Sequence, residues 1–263
     1  MLKFILTHPI DTITHIPHLI KWLTLKGPEK YIYLEKVWYN KEAKKSKYNQ
    51  KIKLDFVVGT YEKQNEYEDY DKYILKNVDD SFKEKVALDF ACGPGRNIIK
   101  YQKYFKKIDG ADISEINIKN EKNNLTFEGV EIPNLYVTSG NDLGEAPNNT
   151  YDFILSTIAM QHIPVYDIRF SIFKHMYRAL KPGGMISIQM GAGKSLNPND
   201  RSYYDNYYES KGTNRHADTM VEDPEYLKKD LEKIGFNNFE FWLRPPMQGE
   251  LGHKHWIYFQ AKK

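Results

Sequence analysis

Residues 86–98 read VALDFACGPGRNI, an apolar run that breaks at Ala91-Cys92-Gly93-Pro94-Gly95 and resumes as a helical pattern near Arg96. Glycines at a strand-to-helix turn let the backbone approach a ligand closely. A lone G-x-G is common in turns, so its neighbours decide its meaning. The next apolar run ends in Gly110-Ala111-Asp112, a carboxylate 17 residues beyond Gly95. An acid at the end of a second strand accepts hydrogen bonds from ribose hydroxyls. A third run is followed by Asn141-Asp142, where a side chain reaches an adenine amino group. Together these features favour a bound nucleoside over a buried turn with two surface acids. A dinucleotide loop, G-x-G-x-x-G/A, needs a small third residue. Ile98 stands there and Pro94 intervenes, which disfavours the pyrophosphate of an NAD(P)-dependent oxidoreductase and leaves a nucleoside without a diphosphate.

Outward from this loop, short apolar runs alternate with amphipathic ones. Strands are expected at 86–91, 107–113, 134–139, 151–157, 185–190, 238–243 and 256–261, and helices at 95–105, 114–124, 166–180 and 224–234. Such alternation predicts a parallel α/β sheet with helices on both faces. The last two strands, joined across 244–254, permit an antiparallel pair. Before residue 85 the periodicity is helical. Ile10, Ile13, Ile20 and Leu23 form one stretch that Gly27-Pro28 ends; further pieces run over Tyr31–Tyr48 and about Glu66–Lys76. The expectation is a helical N-terminal extension over 1–84 and one domain over 85–263.

The chain has 263 residues, with 38 basic and 35 acidic side chains, so a net charge of +3 supplies no global field for nucleic acid. Its single cysteine, Cys92, excludes an internal disulfide framework and any multi-cysteine metal cage. No uninterrupted apolar run approaches the ~18 residues of a membrane span. The first residues, broken by His8, Pro9, Asp11 and Pro17, lack the form of a secretory signal, so a cytoplasmic location is expected. His253 and His255 share a strand face without a third ligand in sequence, and no metal site is expected. The Lys41–Lys53 run reads as a solvated helix face, with phosphate or RNA contact as the alternative. The Leu2–Leu25 helices are expected to pack on their own domain; a membrane surface or a second copy of the chain are the other partners for such a face.

The segments VALDFACGPGRN, DGADIS, GNDL, YDFILSTIAMQHIP and RALKPGGMISI, in this order and spacing, resemble the class I S-adenosylmethionine-dependent methyltransferases, and most of all the small-molecule group whose fourth strand leads into a His-Ile pair. The resemblance covers about residues 85–263. It implies a Rossmann-like seven-stranded mixed sheet with an antiparallel last strand, and S-adenosyl-L-methionine as cofactor. By position, Asp89 and the loop of Ala91, Cys92, Gly93 and Gly95 would border the methionine part. Asp112 would hold the ribose, Ile113 the adenine face, and Asn141, Asp142 and Leu143 the adenine edge; Ser156 and Thr157 would line the sulfonium side. Ala91 departs from the family's glycine, which an ordinary β backbone would tolerate.

Methyl transfer from a sulfonium is a direct displacement that needs the acceptor in line in a dry pocket. A hydroxyl acceptor benefits from a base, and His162 in MQHIP is the candidate, against the alternative of a packed helix-start histidine. Ser156-Thr157-Ile158-Ala159 stands where enzymes acting on planar nitrogens resemble one another in a Pro-Pro-aromatic string. Cytosine C5 chemistry needs a cysteine nucleophile, and Cys92 lies in the cofactor loop. Residues 191–224 are long for a connection. Their Tyr203, Tyr204, Tyr207, Arg215 and His216 form either an acceptor lid or an aromatic mini-core over the sheet end. The expected function is methyl transfer to a small-molecule or glycan acceptor, at oxygen. The alternatives are an RNA methyltransferase, a catalytically silent binder of S-adenosylmethionine, and the oxidoreductase.

Overall fold

In the computed structural model, which describes residues 20–21, 23–44, 68–194, 197–209, 217–245 and 255–263, the apolar runs pair as parallel strands. Strand β1 (Val86–Phe90) lies between β2 (Lys107–Asp112) and β4 (Tyr151–Ser156), with β3 (Leu135–Val137) outside β2 and β5 (Leu180–Ala192) outside β4. Successive β1 residues face opposite sides: Leu88 joins one core with Ile154 and Ile186, Ala87 the other with Phe153 and Leu155. Burial on both faces is why β1 and β4 are apolar at successive positions instead of alternating. The order 3-2-1-4-5 reverses direction between β1 and β4, and a crevice opens there at the carboxyl ends.

On the far edge of β5, β9 (His255–Lys262) runs antiparallel from Met185↔Lys262 to Ala192↔His255, and β8 (Asn237–Arg244) runs antiparallel to β9. The seven-stranded mixed sheet with a reversed last strand is therefore present. Two short strands were not foreseen. Pairing of β4 with β5 stops at Ser156↔Ile188, and β7 (Thr219–Val221) takes the continuing β5 edge at Gly191↔Met220 and Ala192↔Val221. Outside it lies β6 (Arg201–Ser202). Strands of two and three residues carry no periodicity to read.

The helices are α1 (Gly27–Ala43), α2 (Glu68–Ile74), α3 (Arg96–Tyr101), α4 (Glu115–Phe127), α5 (Tyr166–Ala179) and α6 (Pro224–Ile234). The helical residues 20, 21, 23 and 24 stop before Gly27-Pro28, as expected, and the same pair opens α1, because a proline in the first turn gives up an N–H that has no helical partner. Helix α1 packs on α4: Ser114 Oγ donates to Asn40 Oδ1 at 2.6 Å, and Asn120 Nδ2 to the Ala43 carbonyl at 2.9 Å. The helical pattern expected over 10–19 and the basic positions 45–53 lie outside the described residues. Among the described residues no helix is long and apolar enough to cross a membrane.

One buried cation fastens the top of the sheet to the loop after β4. Arg169, on α5 and fully buried, donates to the carbonyls of Ile163 and Tyr203 and, at 2.8 Å, to Thr219 Oγ1 on β7. Burial lowers its pKa to about 10, so it stays cationic at neutral pH. Segment 203–207 is pinned beside it: Tyr166 N donates to the Asp205 carbonyl at 2.9 Å and Tyr207 N to the Pro164 carbonyl at 3.0 Å. Replacing Arg169 with Met strands these acceptors, and we expect a loss of about 3 kcal/mol or more in urea unfolding. An unchanged midpoint would show that the guanidinium is not the fastening.

Candidate functional site

The crevice at the ends of β1, β2 and β4 is roofed by α1, with Tyr31, Glu35 and Tyr39 facing Asp112, Ile113 and His162 across it. Its floor is the glycine loop. Ala91 N and Cys92 N both donate to the Ala111 carbonyl, at 2.7 and 3.2 Å, which folds the chain back over the end of β2. Asp112 then locks the turn, accepting from Gly93 N at 3.0 Å, from Ser114 N at 2.7 Å and from Asn117 Nδ2 at 3.3 Å. Gly93 lines the crevice at φ +57°, with open space where a Cβ would stand. Under the loop, Cys92 Sγ donates to Glu121 Oε2 at 3.1 Å. A Cβ on Gly110 would lie 3.0 Å from that sulfur and 2.9 Å from Leu135 Cδ2. That glycine is a packing requirement.

Three carboxylates are thus buried around one turn, and desolvation raises the pKa of each. Asp89 is pushed up to about 7 by burial, against the opposing hydrogen bond from Asn97 Nδ2 at 3.1 Å. Among the described residues nothing donates to its Oδ2. Backbone strain frames the same place. Ala91 has φ +59° and Ile158 φ +52°, both in the left-handed region. The extended backbone expected at Ala91 is therefore not what the loop adopts; the fold-back onto Ala111 imposes the turn that glycine would take without strain.

On the opposite wall, His162 Nδ1 stands 2.6 Å from Asp218 Oδ1. A carboxylate partner favours the proton on Nδ1, the tautomer whose acceptor lone pair is on Nε2. Gln161 Nε2 stands 3.5 Å from His162 Nε2. Tyr31 of α1 donates to the His162 carbonyl at 3.3 Å, closing the crevice from above.

Of the residues singled out in sequence, Ala91, Gly93, Asp112, Ile113 and His162 line this crevice together. Asp89, Cys92 and Gly95 are buried just beneath it. Ser156 donates to the Phe90 carbonyl and Thr157 accepts from Asn97, so both brace the floor from below. Leu143 is core, and Asp142 caps its own loop through Ser139 N and Gly144 N. Asn141 is exposed beside it. Tyr203 is buried and Tyr204 half-exposed in a ring cluster with Tyr166 and Tyr226, a mini-core beside the crevice. Tyr207 lies under the Arg201 guanidinium. Arg215, His216 and His253 lie outside the described residues. Among the described residues no group of three or more His, Cys, Asp or Glu is placed to hold a metal. Sequence reasoning missed Tyr31, Glu35, Glu121 and Asp218. Of these, only Asp218 carried a signal, as an acid inside the long 191–224 connection.

A crevice at this switch point, with a reversed last strand and an acid closing β2, defines a class I methyltransferase fold. Residues 61–240 match the methyltransferase domain family, and the chain belongs to it, among the S-adenosylmethionine-dependent class I enzymes. Similar solved structures include phosphoethanolamine N-methyltransferase 2 of Haemonchus contortus in complex with S-adenosyl-L-methionine (19% identity, TM-score 0.55, 74% of this chain and 52% of that one). Others are a putative sarcosine dimethylglycine methyltransferase of Galdieria sulphuraria (16%, 0.54, 74% and 85%) and a putative methyltransferase of Bacillus halodurans C-125 (14%, 0.51, 69% and 93%). This chain spans about half the length of the Haemonchus protein. No curated protein matches it in sequence.

Two outcomes follow from the loop. Ala91→Gly exchanges a strained left-handed alanine for a residue at home there, and stability in urea should rise by up to about 1 kcal/mol; a loss would contradict the strain. Asp89 binds its proton more tightly folded than unfolded, so its contribution is present at low pH and lost as pH rises from about 4 to about 7. The interval from 3.8 to about 7 corresponds to at most about 4 kcal/mol. Asp89→Asn should flatten the fall of stability across that window in thermal unfolding at stepped pH, and a slope identical to the parent's would rule the assignment out.

Proposed function

We propose that this chain transfers the methyl group of S-adenosylmethionine to a small-molecule acceptor, with His162 as the base and Asp218 as its positioning residue. The observation that supports this most directly is a histidine that lines the same crevice as the Asp112-locked glycine loop and is held from behind by Asp218. The crevice suits the cofactor on this chain's own features: an acid at its floor, an open glycine, and a buried carboxylate oxygen without a donor. In this reading Asp112 holds the ribose, Ile113 covers the adenine, and the loop from Asp89 to Gly93 borders the methionine part. Bound there, S-adenosylmethionine supplies an electrophilic methyl on a sulfonium whose departure needs no acid.

The residues of the chain do the rest. Tyr31 and the α1 face above it keep water from the acceptor. Asp218 holds the imidazole so that Nε2 receives a proton from the acceptor as its nucleophilic atom attacks. A hydroxyl, including that of a glycan, needs such a base, and so does a protonated amine.

Incubation with methyl-labelled S-adenosylmethionine and fractionated low-molecular-weight extract tests the activity: label should enter a small molecule and be absent from RNA and protein. His162→Ala should lower turnover by about 10²-fold or more and Asp218→Asn by about tenfold or more, with cofactor affinity unchanged. Undiminished turnover in His162→Ala would remove it as base.

A further inference from the structure

Asn117, in the first turn of α4, lines the crevice beside Asp112 and is 2% exposed. Its backbone N–H donates to Ser114 Oγ at 3.1 Å, the capping bond that starts the helix. Its Nδ2 donates to Asp112 Oδ1 at 3.3 Å. That second bond decides which way the amide faces. Asp112 Oδ1 also accepts from Ser114 N, so a carboxamide turned the other way would set oxygen against oxygen. Asn117 Oδ1 is thereby left as an acceptor sealed from water, and among the described residues nothing donates to it. A buried amide oxygen without a donor is costly, and native proteins keep few of them.

The acceptor sites of Asp112 show what kind of donor is to be expected there. A carboxylate offers about four such sites. Three are taken by the chain itself: Gly93 N bonds Oδ2, and Ser114 N and Asn117 Nδ2 bond Oδ1. A ribose brings two vicinal hydroxyls, and Asp112 has room for about one of them. The neighbouring Ser114 Oγ is already engaged, donating to Asn40 Oδ1 and accepting from Asn117 N. Asn117 Oδ1, on a residue bonded to Asp112 and lining the same wall, is the acceptor that remains for the second hydroxyl.

We propose that Asn117 is a second ribose-binding residue: Asp112 accepts one hydroxyl of the S-adenosylmethionine ribose and Asn117 Oδ1 accepts the other. This rests on the methyltransferase reading above, and it makes the intact vicinal diol the feature that the site selects. A nucleoside lacking either hydroxyl leaves one buried acceptor without a donor, which is the kind of mismatch that discriminates most strongly. Asn117 has a bracing role as well, through Nδ2, so the two roles must be separated by the ligand and not by the mutation alone.

The test is a calorimetric cycle on the full chain with S-adenosylhomocysteine, the demethylated cofactor, and its 2′-deoxy and 3′-deoxy analogues. The parent should bind each analogue about tenfold or more weakly than S-adenosylhomocysteine. Asn117→Leu, close to asparagine in size, should bind S-adenosylhomocysteine about tenfold more weakly than the parent does. With one of the two analogues, the one whose missing hydroxyl Asn117 accepts, it should lose nothing further, while the other analogue still binds more weakly. Asn117→Ala, which suits a helix and intrudes on nothing, should repeat the pattern. A residue that only braced Asp112 would weaken all three ligands by one common factor. That common factor in both variants overturns the proposal, and so does a parent that binds either analogue as tightly as S-adenosylhomocysteine. Failure of the parent to bind S-adenosylhomocysteine and S-adenosylmethionine at all overturns the methyltransferase reading instead.

Discussion

Asp112 is the constraint on which the rest of the site depends. Its carboxylate gathers Gly93 N from the loop after β1, Ser114 N from the entrance to α4, and the Asn117 amide from the first turn of α4. Three chain segments are tied to one side chain, at the point where the sheet order reverses. The tie sets the height of the glycine loop, and through α4 it sets where α1 docks, since Ser114 and Asn120 anchor α1 in turn. The wall that carries His162 is fastened separately, by Arg169 drawing the Ile163 carbonyl, the Tyr203 carbonyl and Thr219 together beside the Asp218–His162 contact.

This arrangement is locally unfavourable in several places. Two non-glycine residues stand in the left-handed region, one of them the β-branched Ile158, whose N–H is held by Gln189 Oε1 at 3.0 Å. Three carboxylates from three elements, Asp89, Asp112 and Glu121, are desolvated around one turn. Strain and buried charge of order 1–3 kcal/mol per site persist when the surroundings over-determine them, and they concentrate where ligands bind. The flanking cores carry that load: β1, β4 and β5 are buried on both faces by continuous apolar side chains.

Much of the fold was legible because its signals are local. The apolar runs marked β1, β2, β4 and β9 to within about a residue, and α6 begins and ends at the expected Pro224 and Ile234, between the Asp223 cap and Gly235. The loop and Asp112 were legible for the same reason, as short strings at strand ends. What escaped depends on contacts far apart in sequence. Asp218 is 56 residues from His162, and Tyr31 is 131. Neither Glu121 nor Glu35 differs by its neighbours from an ordinary helix-surface acid; only packing buries them. The backbone at Ala91 was misjudged because the turn is imposed by two hydrogen bonds to Ala111 on another strand.

Calorimetric titration of S-adenosylmethionine into the full chain and into Asp112→Ala tests directly whether a nucleoside-bearing sulfonium cofactor binds against Asp112. One molecule should bind per chain, at least about a hundredfold more weakly in Asp112→Ala, with no binding of NAD(P)H to either. Equal affinity in the two proteins would remove Asp112 from the cofactor site.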